Sequence, residues 1–308
     1  MKMKHITVLK QEAIELLDIK SAGTYVDATL GGAGHSLAIL QQLKQGFLYA
    51  FDQDVYAINK AKELLKEYQN CYLIQANFKN MKKELKERGI ENVDGIIFDL
   101  GLSSFQIDDV NRGFTYLKET ILDMRMDQQQ ELTAEKIINT YSKDELAKIF
   151  FEYGEEKNAY KIAQRIIDNR PIKTTFDLVS ITDRVNHKEK GHSAKRVFQA
   201  LRIEVNQELE VLKQVLSDAF DLLKEDGVLA IITFHSLEDR IVKHFFKSKT
   251  TIDFPNVPTL NLPEPEAISL TRKPIYPTEE EQVNNSRSRS AKLRAIKKKK
   301  TLSNSIRL

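Results

Sequence analysis

Over its first hundred residues the chain alternates short apolar runs with stretches whose apolar positions recur every three or four residues. The apolar runs at 25–29, 47–51, 71–74 and 95–98 are bounded by Gly, Asn or Asp, which predicts strands. Residues 35–43, 55–67 and 81–88 carry helical spacing between them. Strands separated by helices in this way predict βαβ units and a parallel sheet covered on both faces.

That rhythm stops near Asp108. From about Leu117 to Asn206 only helical periodicity remains, at 134–140, 144–153, 159–169, 176–185 and 194–205, with Pro171 and Gly191 as punctuation. A helical stretch at 208–223 and a Gly227 turn then lead into another apolar strand, 228–234. A strand needs a sheet, so the economical reading is one α/β domain, 1–110 with 207–308, interrupted by an all-helical insertion, 111–206. Six of the seven prolines fall between Pro255 and Pro277, which predicts an extended loop there.

Composition narrows the class. The 308 residues are 41% apolar and 30% charged, which suits a globular protein with a real core. The single cysteine, Cys71, rules out an internal disulfide framework or a zinc site built on paired cysteines. No apolar stretch has signal-peptide or membrane-span length, so a cytoplasmic protein without membrane contact is expected. The net charge of +3 hides an asymmetry: residues 283–308 hold nine Lys/Arg and no acid, which leaves −6 for the rest. A basic, mobile tail is expected from about Lys297.

Three of the twelve glycines lie within Asp27-Ala28-Thr29-Leu30-Gly31-Gly32-Ala33-Gly34-His35, after a strand and before a helix. At the carboxyl end of a first parallel strand, small residues let a ligand approach the backbone. Asp52 ends the next strand, at the spacing where a carboxylate accepts bonds from ribose hydroxyls. A tight turn and a helix cap would explain the same residues; context and spacing favour a nucleoside-type ligand. Leu37 stands where a dinucleotide fingerprint needs its last small residue. Asp27 and Asp52 suit a cationic ligand such as S-adenosylmethionine better than a pyrophosphate.

The fourth strand ends in Asp99-Leu100-Gly101-Leu102-Ser103-Ser104-Phe105-Gln106, and the returning strand in Phe234-His235-Ser236-Leu237-Glu238-Asp239. Two strand ends presenting polar groups suggest one cleft, with Asp99, Ser103 and His235 as catalytic candidates. Ser236 with Asp239 also reads as a helix capping box. No G-x-S-x-G elbow is present, which weighs against a serine hydrolase. Cys71 lies within a strand and reads as a small buried residue rather than a nucleophile, which weighs against cysteine-dependent chemistry at cytosine C5. No metal-ligand cluster is expected, because the six histidines are scattered.

Charge marks a third feature. Residues 157–202 hold eleven Lys/Arg against four acids, whereas 112–156 are net −4. A basic half-insertion, with Lys195, Arg196 and Arg202 among its cations, and a basic tail suit a polyanion; the resemblance given next implies that this polyanion is RNA.

With these residues in place the sequence resembles the bacterial ribosomal RNA small-subunit methyltransferase H family, also called MraW. Besides the stretches quoted above, the glycine-rich one continuing to Ser36, the resemblance is carried by His5-Ile6-Thr7-Val8-Leu9, Phe51-Asp52-Gln53-Asp54, Arg112-Gly113-Phe114, Leu122-Asp123-Met124-Arg125-Met126-Asp127, Tyr153-Gly154-Glu155-Glu156, the run from Arg196 to Asn206, and Asn285-Ser286-Arg287-Ser288-Arg289-Ser290. It implies a Rossmann-like S-adenosylmethionine-dependent methyltransferase with a helical insertion. The implied activity is methylation of the N4 amine of a cytidine in the decoding region (P site) of 16S ribosomal RNA, within the small subunit. By motif it implies cofactor contacts from Ala33, Gly34, His35, Asp52, Phe78, Asp99 and Gln106. There are two departures. Asp99-Leu100-Gly101-Leu102 stands where many amino-methyltransferases carry an Asn/Asp-Pro-Pro-aromatic motif, and Ser286 stands where the family often has Pro.

Cytosine N4 is a poor nucleophile because its lone pair is delocalised into the ring. Acceptors for its N–H bonds, expected from Asp99 and the nearby loop, would aim that lone pair at the methyl group, while Ser103 and His235 orient the base. The rival readings are a nicotinamide-dependent dehydrogenase on the same type of fold and a non-catalytic ribosome-assembly module that binds RNA.

Overall fold

The computed structural model describes residues 6–187, 190–252 and 264–300. The chain divides into two compact units, Met1–Gly101 with Val211–Leu308, and Leu102–Glu210. The first cut falls earlier than the strand rhythm placed it, because Leu102 packs against the core of the helical unit.

The first unit begins with α1 (Lys10–Leu17), β1 (Thr24–Asp27), α2 (Gly34–Leu40), β2 (Phe47–Asp52), α3 (Val55–Leu64), β3 (Cys71–Gln75), α4 (Met81–Glu87) and β4 (Val93–Asp99). The second unit follows, with α5 (Ser104–Asp108), α6 (Ala134–Thr140), α7 (Lys143–Glu152), α8 (Ala159–Asp168), α9 (Thr175–Asn186) and α10 (Lys195–Asn206). The chain returns through α11 (Glu208–Leu222), β5 (Leu223–Thr233), α12 (Ser236–Thr250), β6 (Ala267–Ser269), α13 (Glu279–Asn284) and β7 (Lys292–Lys298). No helix among the described residues is long and apolar enough to cross a membrane.

Among the described residues seven strands form one sheet in the order β3-β2-β1-β4-β5-β7-β6, with β1 to β5 parallel and β7 antiparallel to both β5 and β6. The chain builds outward from β1 through β2 and β3, then returns to the other side of β1 as β4. The carboxyl ends of β1 and β4 therefore flank a topological switch point, where open α/β sheets bind ligands.

Strand alternation distributes the core. Ile96 and Phe98 of β4, with Leu229 and Ile231 of β5, pack on one face against Met81 and Leu85 of α4, Leu216 of α11 and Val242 of α12. Ile97, Ala230 and Ile232 point to the opposite face, where Leu17 of α1, Ile39 of α2 and Ile58 of α3 cover them. Each fully buried Leu, Ile or Phe contributes about 1.5–3 kcal/mol, so both faces are strongly anchored. The helical unit has a separate core that includes Ile137, Phe150, Ile162, Leu178, Phe198 and Leu201. Four of its helices, α5, α6, α7 and α9, start at side-chain caps, with capping boxes of Ser142 with Glu145 and Thr174 with Asp177.

Two expectations about the C-terminal third are corrected. Pro255, Pro258 and Pro263 lie outside the described residues, but the rest of the proline-rich stretch is not all loop: Ala267–Ser269 pairs with β7, and Ile275 bridges to Leu293. The basic tail does not leave the fold at Lys297 either. Lys297 and Lys298 belong to β7, and Lys298 Nζ donates to the carbonyl oxygens of Phe220, Asp221 and Leu223 at 2.8–3.2 Å. Phe220 and Asp221 lie in the last turn of α11, whose carbonyls lack partners within the helix, and Leu223 opens β5, which is why a cation is held there. Lys299 pairs with Glu264 at 3.1 Å and Lys300 with Asp226 at 3.4 Å, and residues 301–308 lie outside the described part.

Candidate active site

Three carboxylates, Asp27, Asp52 and Asp99, stand at the carboxyl ends of β1, β2 and β4. The loop after β1 ties these ends together. The N–H of Asp99 donates to Thr29 Oγ1 at 2.6 Å, and the N–H of Gly31 donates to Asp52 Oδ2 at 2.9 Å. Asp52 Oδ1 also accepts from the N–H of Asp54 at 2.8 Å. Each carboxylate oxygen has two lone pairs, so Asp52, partly exposed, keeps capacity for ribose hydroxyls.

Asp27 differs from expectation. It is 1% exposed, and its oxygens accept from Ser36 Oγ at 2.6 Å and the N–H of Thr29 at 3.1 Å. It shapes the loop from beneath and does not face a ligand.

Ala33 caps α2 in the left-handed region at φ 60°, where a non-glycine residue is strained, and both Ala33 and His35 are buried. Gly34 is needed for close approach. A Cβ there would lie 1.7 Å from Thr7 Oγ1, so the N-terminal segment runs directly over the glycine loop. That segment is itself pinned: the N–H of Leu9 donates to Glu281 Oε1 at 2.9 Å and Asn285 Nδ2 to the carbonyl of Ile6 at 3.0 Å. His35 Nε2 lies 3.1 Å from the carbonyl oxygen of Val8, and its Nδ1 lies 3.6 Å from Asp99 Oδ2.

Burial pushes Asp27 up to about 6, against the lowering effect of the Ser36 and Thr29 hydrogen bonds. Burial also raises Asp52 to about 6, against the donors on Asp54 and Gly31. Asp99 is held well above the usual carboxylate range, first by burial and then by the negative charges of Asp27, Glu238 and Glu281. Its Oδ1 is buried and has no hydrogen-bond partner among the described residues. An acidic site with an orphaned acceptor fits a cationic ligand that brings N–H donors, as the ammonium of S-adenosylmethionine does.

Phe78 lies in a single helical turn after β3 and meets Phe98 edge to face at 5.5 Å, which leaves it half-buried near the end of the sheet. His235 follows β5 and caps α12. Its Nδ1 accepts from the N–H of Glu238 at 3.5 Å, while the N–H of Phe234 donates to Glu238 Oε2 at 2.8 Å. The expected Ser236–Asp239 capping box is therefore displaced by one residue, to His235 and Glu238. Asp239 instead holds Arg294 at 2.7 Å and Lys292 at 3.1 Å, tying α12 to β7. His235 Nε2 is 3.1 Å from Glu238 Oε1 but off the line a hydrogen bond needs, so it is the ring atom left for another partner.

The first unit thus carries Ala33, Gly34, His35, Asp52, Phe78, Asp99 and His235 around the ends of its parallel strands. Ser103 and Gln106 belong to the second unit, where they bond each other as the capping box of α5, with Ser103 N–H to Gln106 Oε1 at 3.0 Å. Lys195 is exposed in the first turn of α10, and Arg196 beside it is half-buried. Arg202, also expected at RNA, is engaged within the fold: its guanidinium grips Glu208 with two bonds of 2.9 Å and is largely buried. Lys188 lies outside the described residues. Sequence reasoning left Thr7, Val8, Ser36, Glu238 and Glu281 without a role at the site. Thr7 and Val8, Ser36, and Glu238 each lie in a run that carried the resemblance, but a motif alone does not say what it touches.

The MraW methylase family matches this chain over residues 2–299. The chain is 59% identical over 297 residues to the ribosomal RNA small subunit methyltransferase H 1 of Acholeplasma laidlawii, covering 96% of this chain and 99% of that one. It is 54% identical over 295 residues to the ribosomal RNA small subunit methyltransferase H of Onion yellows phytoplasma, covering 96% and 97%. The protein of the same name from Clostridium botulinum (strain Kyoto) is 49% identical over 308 residues, covering 97% of this chain and all of that one.

Proposed function

The chain belongs to the MraW methylase family, and from that premise we propose that it methylates the N4 amine of a cytidine in the decoding region (P site) of 16S ribosomal RNA, within small ribosomal subunits in the cytoplasm. It is an S-adenosylmethionine-dependent ribosomal RNA methyltransferase, so the dehydrogenase and non-catalytic readings fall away. The observation that carries the finer reading is Asp99 Oδ1, a buried acceptor with no partner among the described residues, at the end of β4 beside the switch point.

S-adenosylmethionine supplies an activated methyl group on a good leaving group. Asp52 is suited to hold the ribose, Phe78 to lie beside the adenine, and the loop at Ala33, Gly34 and His35 to bring its backbone against the ligand. Gln106 is the further cofactor contact in this reading. Asp99 Oδ1 accepts an N–H bond from the target amine, which draws the nitrogen toward a pyramidal shape and aims its lone pair along the methyl–sulfur axis. His235 and Ser103 orient the base, and the base leaves its stack to reach them.

Incubating small subunits that lack the methyl group with tritium-labelled S-adenosylmethionine, then mapping the labelled nucleotide, tests this directly. Label on the N4 of one decoding-region cytidine is the expected result. Label at another atom or nucleotide, or none, would overturn it.

A further inference from the structure

The amine loses a proton when it is methylated, and the fold offers a place for it. The carbonyl oxygen of Val8, 3.1 Å from His35 Nε2, can only accept a hydrogen bond. The proton of a neutral His35 ring is therefore on Nε2, and Nδ1 presents a lone pair. Nδ1 lies 3.6 Å from Asp99 Oδ2. The two atoms can share one proton, and at 4% exposure of His35 water competes little for it. The other charged groups acting on Asp99 are the acids Asp27, Glu238 and Glu281. They favour keeping a proton on the pair. Catalytic contacts of this length commonly tighten when substrate arrives.

Resting on the reaction proposed above, we propose that Asp99 and His35 together accept the proton released by the target amine, with Asp99 Oδ1 receiving it and His35 Nδ1 taking up the proton displaced from Oδ2. Before transfer the pair holds one proton on Oδ2 and the ring is neutral. The N4 lone pair forms the new carbon–nitrogen bond as the methyl–sulfur bond breaks, and the sulfur keeps that bond's electrons. The methylated amine then gives its extra proton to Oδ1 while the Oδ2 proton passes to Nδ1. The pair ends as a neutral carboxyl and an imidazolium, so the positive charge lost by sulfur appears on His35. That proton later leaves to solvent. Asp99 touches the reacting amine; His35 acts through it as a positioning residue, and the Val8 carbonyl fixes which nitrogen is available.

The test uses the full chain, small subunits lacking the methyl group and labelled S-adenosylmethionine, with single-turnover rates across about pH 5.5–9 and cofactor affinity by titration calorimetry. In His35→Gln the side-chain amide can still donate to Val8, but nothing basic faces Asp99. The expected result is cofactor affinity within about threefold of wild type and an unchanged KM, with kcat down about 100-fold. The acid limb of its pH profile should also move to higher pH by about one unit, because Asp99 must then ionise unaided. A wild-type rate, a loss equal at every pH, or a loss explained wholly by weaker cofactor binding would overturn the pair and leave His35 as an anchor for the N-terminal segment. A measurement on the wild type avoids any folding defect of the variant: nitrogen-15 shifts of the His35 ring should report a proton on Nε2 and a titrating Nδ1 that responds to Asp99→Asn. A proton on Nδ1 in the neutral ring, or no response, also overturns the inference. If the wild type methylates no subunit RNA, the proposed reaction itself fails and this step falls with it.

Discussion

Ser36 Oγ donates a 2.6 Å hydrogen bond to Asp27 Oδ2, and both side chains are buried beneath the glycine loop. Burial has already raised Asp27 to about 6, and this bond restrains the rise. Because the folded protein binds the Asp27 proton more tightly than the unfolded chain, the group's contribution to stability is complete below about pH 4 and is withdrawn as pH climbs through about 6. A group moved from 3.8 to about 6 withdraws ~3 kcal/mol over that window. Ser36→Ala should widen the effect, costing about 1–3 kcal/mol near pH 7.5 and less near pH 4.5, as read by urea denaturation. Equal losses at the two pH values would refute this.

Asp239 has the opposite sign. Burial alone would raise it, but Arg294 and Lys292 outweigh burial and hold it below the usual carboxylate range. Its contribution is therefore present above about pH 4 and is lost as pH falls through the lowered value. Asp239→Asn would leave two cations facing a neutral amide and should cost on the order of 3 kcal/mol at neutral pH. The penalty should shrink in acid, where the wild type loses the same charge. Thermal melts of both proteins at neutral and acidic pH check the sign.

Much of this arrangement was legible in the residues. The alternation of apolar runs and helical periods marked β1 to β4 and the helices between them, because strand and helix periods are local properties of sequence. The ends of those strands marked Asp52 and Asp99 for the same reason. The antiparallel strands β6 and β7 were not visible: Ala267–Ser269 is three residues long within a proline-rich stretch, and Lys292–Lys298 carries only three apolar residues among its cations. Charge runs likewise do not show internal partners. Arg202 and Lys298 belong to basic runs that read as polyanion contacts, and Glu208 and the carbonyl oxygens of Phe220, Asp221 and Leu223 hold them. A partner six residues away, or some 75 away, has no signature in composition. The contacts of Val8 with His35 and of Thr7 with Gly34 are likewise fixed by tertiary packing across 27 residues.

Gly34→Ala should act through a single contact. The glycine has an ordinary backbone conformation, so the obstacle to a side chain is Thr7, whose Oγ1 would lie 1.7 Å and whose Cβ 2.9 Å from the new Cβ. The substitution must displace the N-terminal segment and should cost about 1–3 kcal/mol, with weaker cofactor binding. Adding Thr7→Gly removes both clashing atoms. A double-mutant cycle by calorimetry should show affinity recovering in the double variant, and additive losses would show that Gly34 is required for another reason.

Lys195 and Arg202 separate RNA docking from internal support. Lys195 is exposed in the first turn of α10, where a phosphate contact would release counterions. Lys195→Gln should lower the slope of log affinity against log salt by about 0.7–0.9 for one phosphate lost, while leaving the melting temperature within about a degree. Arg202 engages Glu208 through two 2.9 Å bonds, so its charge is balanced inside the protein. Arg202→Gln should leave Glu208 with a poorer partner in a largely buried position, lower the melting temperature by several degrees, and leave the salt slope unchanged. Filter binding of small-subunit RNA over a salt series, paired with calorimetric melts, distinguishes the two. A slope change on Arg202→Gln would mean that the ion pair opens to RNA, and an unchanged slope on Lys195→Gln would return that residue to the solvated surface.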